Sequence, residues 1–160
     1  MDRITPRIFL SAALLGLPLT ASAEAPENCD WAAAHTDNVI YLLEDALELA
    51  EEGHRQDRNP YTDDAVDDLD YALDRALNAD VWLSIVIGNP RRSTQYYYAS
   101  LVEDVLELSL EAAGDAYNFS LPFACIFGAD DACEAMPDVY NARRELERAL
   151  YDIGACKNLL

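Results

Sequence analysis

The chain has 160 residues, of which 11 are Lys or Arg and 30 are Asp or Glu, so its formal net charge is −19 at pH 7. This length fits one domain with its own hydrophobic core. The negative field repels phosphate backbones and anionic lipids, which argues against nucleic-acid binding and membrane adhesion and favours a basic protein partner. The acidic proteome of a saline habitat would give the same composition.

The first 23 residues have the pattern of a secretory signal peptide. Arg3 and Arg7 precede an apolar stretch over residues 8–20, and Ala21-Ser22-Ala23 is a small-x-small cleavage site. The apolar stretch is short for an uncleaved membrane anchor, which is the alternative. We therefore expect a cleaved signal peptide over 1–23 and a single all-α domain over 24–160, located in the periplasm or outside the cell. Cleavage would remove two Arg and one Asp and leave 9 basic and 29 acidic residues.

Apolar residues at steps of three and four predict a first helix that ends near Gly53. Asn28 or Asp30 is the expected N-cap. The stripe is wide enough to indicate a core-facing helix rather than a thin coiled-coil seam. Its members are Trp31, His35, Val39, Leu42, Ala46 and Leu49, flanked by Ile40, Leu43, Leu47 and Ala50.

Three more helices follow from the same periodicity. The second begins with Thr62 as its cap and ends at Gly88, before Asn89-Pro90. The third ends at Gly114, and the fourth begins near Pro137. No later segment is long and apolar enough to span a membrane, since the best, residues 81–87, covers only seven positions.

The link between the third and fourth helices, residues 115–136, contains two Cys and several aromatic residues. Structureless links of this length are uncommon in compact domains. We expect a packed, disulfide-containing loop with a short helix around residues 130–135. The aromatic residues are Tyr117, Phe119, Phe123 and Phe127.

These elements predict an all-α fold, an antiparallel four-helix bundle with a long disulfide-containing loop between helices three and four. An even number of Cys in an exported chain indicates two disulfides. Up-down-up-down order places the start of the first helix beside the end of the fourth. We therefore predict the bridges Cys29–Cys156 and Cys125–Cys133.

The acidic run after the first helix contains weak candidates for a divalent metal ion. Asp57, Asn59, Asp63 and Asp68 fall at positions 1, 3, 7 and 12 of a twelve-residue calcium loop, but position 6 is Thr62 rather than Gly. Missing turn and ligand residues argue against an EF-hand and favour a solvated acidic face. The full set of metal candidates is Asp57, Asn59, Asp63, Asp64, Asp67 and Asp68.

Residues 91–98 form a basic and aromatic cluster. Arg91 and Arg92, followed by Tyr96 and Tyr97, are candidates for partner binding, because exposed Tyr and Arg are enriched at interfaces. The alternative is that the tyrosines pack inward and the Arg pair balances nearby acids.

No residue pattern indicates catalysis. His35 is expected to be a satisfied histidine near the core, and Asp80 a buried carboxylate paired with an arginine of helix four, Arg143, Arg144 or Arg148. No cofactor is predicted. The sequence favours a non-enzymatic interaction protein with a protein partner; the alternative is a carrier of a small molecule or divalent metal in the bundle core or on the acidic face.

Overall fold

A computed structural model describes residues 24–160, and the predicted signal peptide lies outside the described residues. None of the described residues lies in a β-strand, so the all-α prediction is confirmed. None of the described helices is both long and apolar enough to cross a membrane. The elements are α1 (Glu27–Gln56), α2 (Pro60–Gly88), α3 (Arg92–Asp115), a π turn (Ala116–Ser120), α4 (Leu121–Ile126) and α5 (Asp130–Leu159).

The four long helices form a bundle in which α1 contacts α2 and α5, and α3 also contacts α2 and α5. Buried positions alternate steps of three and four, with small residues at many of them. On α1 they are Cys29, Ala32, Thr36, Val39, Leu43, Ala46, Ala50 and Gly53. This seven-residue repeat is that of a coiled-coil seam. The wider core-facing stripe expected for α1 is present around this seam, because the half-buried Ile40, Leu42, Leu47 and Leu49 also pack against the core. Trp31, which is 53% exposed, does not belong to it.

Two helix starts differ from the prediction. The N-cap of α2 is Asn59, whose side chain accepts from the backbone N–H groups of Tyr61 and Thr62. Thr62 completes a capping box by accepting from the Asn59 N–H. Helix α1 begins at Glu27, after Pro26, with no side-chain cap among the described residues, so neither Asn28 nor Asp30 has the predicted role.

The predicted loop over 115–136 was also wrong, because most of it is helical. Helix α3 continues through the π turn into α4, and α5 begins at Asp130, seven residues before Pro137. Pro137 lies inside α5, where its missing N–H removes one hydrogen bond of the helix. The expected short helix around 130–135 exists as the first turns of α5.

Both predicted disulfides are present, Cys29–Cys156 and Cys125–Cys133. The first joins the start of α1 to the end of α5. Near the other end of α1, a Cβ placed on Gly53 would lie 3.3 Å from the backbone N of Ala132, early in α5. These contacts agree with an antiparallel pair, and the up-down-up-down order of the whole bundle stays a prediction.

Candidate functional site

The segment that follows α3 contains no charged side chain. From residue 116 to residue 129 the chain has no Asp, Glu, Lys or Arg, although charged residues make up 26% of the whole sequence. Acidic residues flank it, Asp115 on one side and Asp130 and Asp131 on the other. This segment forms the π turn and α4, which cover one end of the bundle.

The segment is apolar on both its inner and its outer face. Leu121 and Ala124 are fully buried against the bundle. The side chains that point outward are Phe119, 60% exposed, Phe123, 42%, Ile126, 73%, and Phe127, 57%. A helix that is apolar all round is ordinarily buried. Here the outer face stays largely exposed, with Tyr61 of α2 stacked on part of it.

We call the four outward residues, together with Tyr61 of α2, the apolar cap. The Tyr61 ring stacks on Phe123 and on Phe127, with ring centroids 5.0 and 5.3 Å apart. Phe119, Phe123 and Ile126 follow steps of four and three, so they share one face. The aromatic residues of this segment were expected to form a packed structure, and three of them make ring contacts: Phe123 and Phe127 with Tyr61, and Tyr117 with Tyr140.

Three covalent and polar contacts hold the cap in place. The Cys125–Cys133 bridge ties α4 to α5. Ser120 in the π turn donates to a carboxylate oxygen of Asp68 on α2, at 2.7 Å. After α4, Gly128 adopts a positive φ of 105°, and the N–H of Ala129 bonds to the carbonyl of Ala124. This is a Schellman-type helix end, which favours glycine because its φ is left-handed.

The stretches of chain that flank the cap are strongly acidic. The two stretches that build this end of the bundle, residues 51–68 and 115–134, hold 11 acidic residues and only two Arg. One of these, Arg55, already pairs with Glu52. We call the acidic residues of these two stretches the acidic rim of the cap.

The predicted metal candidates lie in the first of these stretches, but four of the six are engaged in contacts within the chain. Asn59 caps α2 and donates to Asp57, at 3.2 Å. Asp63 lies 3.2 Å from His54, and Asp68 accepts from Ser120. Asp64 and Asp67 are exposed. Within residues 24–160, no group of three acidic, His or Cys side chains is arranged to hold a metal ion.

The pKa of the Asp68 carboxyl is raised because this side chain is partly buried under the π turn. Burial raises the pKa of its carboxyl above the ordinary value of 3.8, and the negative charge of Asp115 adds to the rise. The hydrogen bond from Ser120 acts in the opposite direction. The folded protein therefore favours the protonated form of Asp68 more than the unfolded chain does.

The predicted partner-binding cluster lies at the start of α3, whereas the end of α3 leads into the cap. Tyr96 and Tyr97 are 51% and 59% exposed, and Arg91 is exposed as well. Arg92 donates to the backbone carbonyl of Leu159, at 2.7 Å, and so fastens the end of α5. The cluster thus presents Tyr96, Tyr97 and the exposed Arg91 at a second surface, separate from the cap.

His35 lies in a charged network between α1 and α5, as expected for a satisfied histidine. Its Nδ1 is 2.6 Å from Glu145, and its Nε2 is 3.6 Å from Asp152. Glu145 also pairs with Arg148. The open groove beside this network, of about 490 Å³, is lined by both Arg and acidic side chains, so it has no single charge preference.

The expected partner of Asp80 was wrong. Among the described residues no ion pair joins Asp80 to an arginine of α5. Burial raises the pKa of Asp80, and Asp37 of α1 raises it further. Arg143 instead lies over the ring of Tyr117, 5.4 Å from its centroid.

The sequence matches no protein-family model, and neither a curated protein nor a solved structure shows significant similarity to it.

Proposed function

We propose that this protein is an exported, non-enzymatic interaction protein that binds a partner protein through the apolar cap. The observation that carries the proposal is the outward exposure of Phe119, Phe123, Ile126 and Phe127 on one uncharged segment. Scattered apolar residues are normal on protein surfaces, but a contiguous apolar patch rimmed by polar residues is typical of an interaction site.

The construction of the cap suits it to binding. Aromatic side chains supply large contact areas at a low cost in conformational entropy and are enriched among residues that dominate binding energy. The disulfide, the Schellman turn and the Asp68–Ser120 bond restrain the segment before any partner arrives. A restrained surface loses less entropy on binding than a flexible loop would.

We also propose that the protein is exported to the periplasm or outside the cell. Two disulfides are typical of proteins from an oxidising compartment, and the sequence of residues 1–23 has the pattern of an export signal. Residence in the periplasm or outside the cell would keep both bridges oxidised. The carrier alternative stays a prediction, with no contact in the described chain that favours it.

Retention of native partners tests this proposal. The tagged protein is incubated with the exported proteins of its own cells, without reducing agent, beside two double variants. Phe119→Ser with Ile126→Ser removes the two most exposed side chains of the cap. Tyr96→Ser with Tyr97→Ser removes two tyrosines of similar exposure from the other predicted surface. Circular dichroism and the intact mass establish that each variant is folded and oxidised.

We expect both the wild type and the tyrosine variant to retain the partner, and the cap variant to lose it. Equal retention by the wild type and the cap variant would refute it. If only the tyrosine variant loses the partner, the partner binds at residues 91–98 and the proposal is refuted.

A further inference from the structure

We infer that the cap binds a cationic amphipathic segment of the partner, with apolar side chains on one face and Lys or Arg beside them. This inference rests on the proposed function. The apolar cap and its acidic rim are two halves of one complementary surface for such a segment.

The apolar half fits a short helical segment. The outward residues Phe119, Phe123, Ile126 and Phe127 cover about two helical turns, roughly 12 Å along the axis. A partner helix presents matching side chains at positions i, i+3 or i+4, and i+7, which also cover two turns. The cap is therefore long enough for one amphipathic helix of the partner.

The charged half lies on both sides of the cap. Helix α4 contacts both α2 and α5. On α2, Asp64 lies between Tyr61, which stacks on the cap, and Asp68, which bonds to Ser120, so it shares their face. On α5, Asp130 is one turn before Cys133, which bonds to Cys125 of α4. Both Asp64 and Asp130 are exposed.

The rim also disfavours other occupants. A second copy of this chain would bring the same acidic rim against the first, and like charges at close range are repulsive. An anionic lipid surface meets the same repulsion. A basic amphipathic segment gains from both halves of the surface, and its long Lys or Arg side chains can reach the rim while their stems stay on apolar surface.

Labelled synthetic peptides test the inference by fluorescence anisotropy at about 150 mM salt, where surface charges beyond about 8 Å are screened. The probe is a Leu/Lys peptide with leucines at helical spacing. One control peptide has the same composition in shuffled order, so that no apolar face forms. A second control keeps the leucine positions and carries Glu in place of Lys.

Matched variants separate the two halves of the surface. Phe119→Ser with Ile126→Ser changes only the cap, and Asp64→Asn with Asp130→Asn removes one rim charge on each side. Asp104→Asn with Glu107→Gln removes the same charge from an exposed part of α3 outside the rim.

We expect the Leu/Lys probe to bind the wild type at least about tenfold more tightly than either control peptide binds, which corresponds to about 1.4 kcal/mol. The cap variant should bind the probe about tenfold more weakly, and the rim variant several-fold more weakly than the α3 variant. Equal binding of the Leu/Lys and shuffled peptides would overturn the inference, because net charge alone would then hold them. Equal binding of the Leu/Glu peptide would overturn it too.

Failure of the inference can be told apart from failure of the proposed function. If the cap variant loses its native partner but no peptide is discriminated, the partner is not a cationic amphipathic segment, yet the function stands. If the cap variant keeps its native partner, the function itself fails. Sedimentation could also show that the wild type is a dimer and the cap variant a monomer. A second copy of the chain would then occupy the cap, and the inference would be overturned.

Discussion

Asp68 illustrates how one side chain links the bundle to its cap. Its carboxylate accepts from Ser120 across the interface between α2 and the π turn, in a partly buried position. Burial raises the pKa of the carboxyl above 3.8, the value expected in the unfolded chain. In the pH range between these two values, the folded state binds more protons than the unfolded state. Stability from this group therefore rises as the pH falls through the raised pKa and levels off below 3.8.

This linkage gives a prediction for Asp68→Asn. Asparagine keeps an oxygen that can accept from Ser120 but carries no charge to desolvate. The variant should be more stable than the wild type at pH 7, and the difference should disappear as the pH approaches about 4. Denaturant unfolding across this pH range measures both effects. The exposed neighbour variant Asp67→Asn is the control; an equal gain there would show that only net charge matters.

At the scale of the elements, α1 packs closely against the start of α5 at Gly53. An added Cβ would lie 3.3 Å from the backbone N of Ala132 and 3.6 Å from the Cβ of Ala129, so a larger residue would force the helices apart. Gly53→Val should lower the free energy of unfolding by about 1–3 kcal/mol, the usual cost of overpacking. Gly88→Val is the matched control, since an added Cβ there meets nothing within 4 Å.

Denaturant melts of both glycine variants, with the disulfides intact, check this prediction. A Gly53→Val protein as stable as Gly88→Val would mean that α1 and α5 are less tightly packed than the seam indicates.

The helices themselves could be predicted from the sequence far better than their ends. The steps of three and four identified all four long helices, because burial of one face imposes that period. Pro137 was mistaken for a helix start because Pro is common in a first turn. In α5 it is exposed, and tertiary packing of the helix outweighs the one lost hydrogen bond.

The cap could be predicted only in part. Its aromatic residues and its disulfide were visible in the sequence, and they indicated a packed structure. Which aromatic residues face outward depends on how the π turn rotates α4 relative to α3, and one extra residue in a helical turn has no simple sequence signal. The absence of charge over residues 116–129 is the signal that would have found the surface.

For the whole molecule, the two disulfides should differ in their effect on stability. Cys29–Cys156 closes a loop of 127 residues, and Cys125–Cys133 a loop of eight. Chain-entropy arithmetic gives about 5 kcal/mol for the long loop and about 2.5 kcal/mol for the short one. The Cys29→Ala/Cys156→Ala variant should therefore lose about twice as much unfolding free energy as Cys125→Ala/Cys133→Ala. A larger loss from the short bridge would show that the cap, not the bundle ends, limits stability.

The long bridge also shows what the topology made predictable. Placing the start of the first helix beside the end of the last one was enough to pair Cys29 with Cys156. The charged network around His35 was not predictable, because it depends on the rotation of α5 against α1, which brings Glu145 and Asp152 to the same side chain.

The most direct test of the proposed binding surface is hydrogen exchange measured by mass spectrometry on the full, oxidised protein, alone and with saturating Leu/Lys peptide. The short α4 should exchange faster than the long helices in the free protein, since short helices open more readily. Binding of the peptide should slow exchange most strongly over residues 117–128. Protection over residues 91–98 instead, with no change in 117–128, would contradict it.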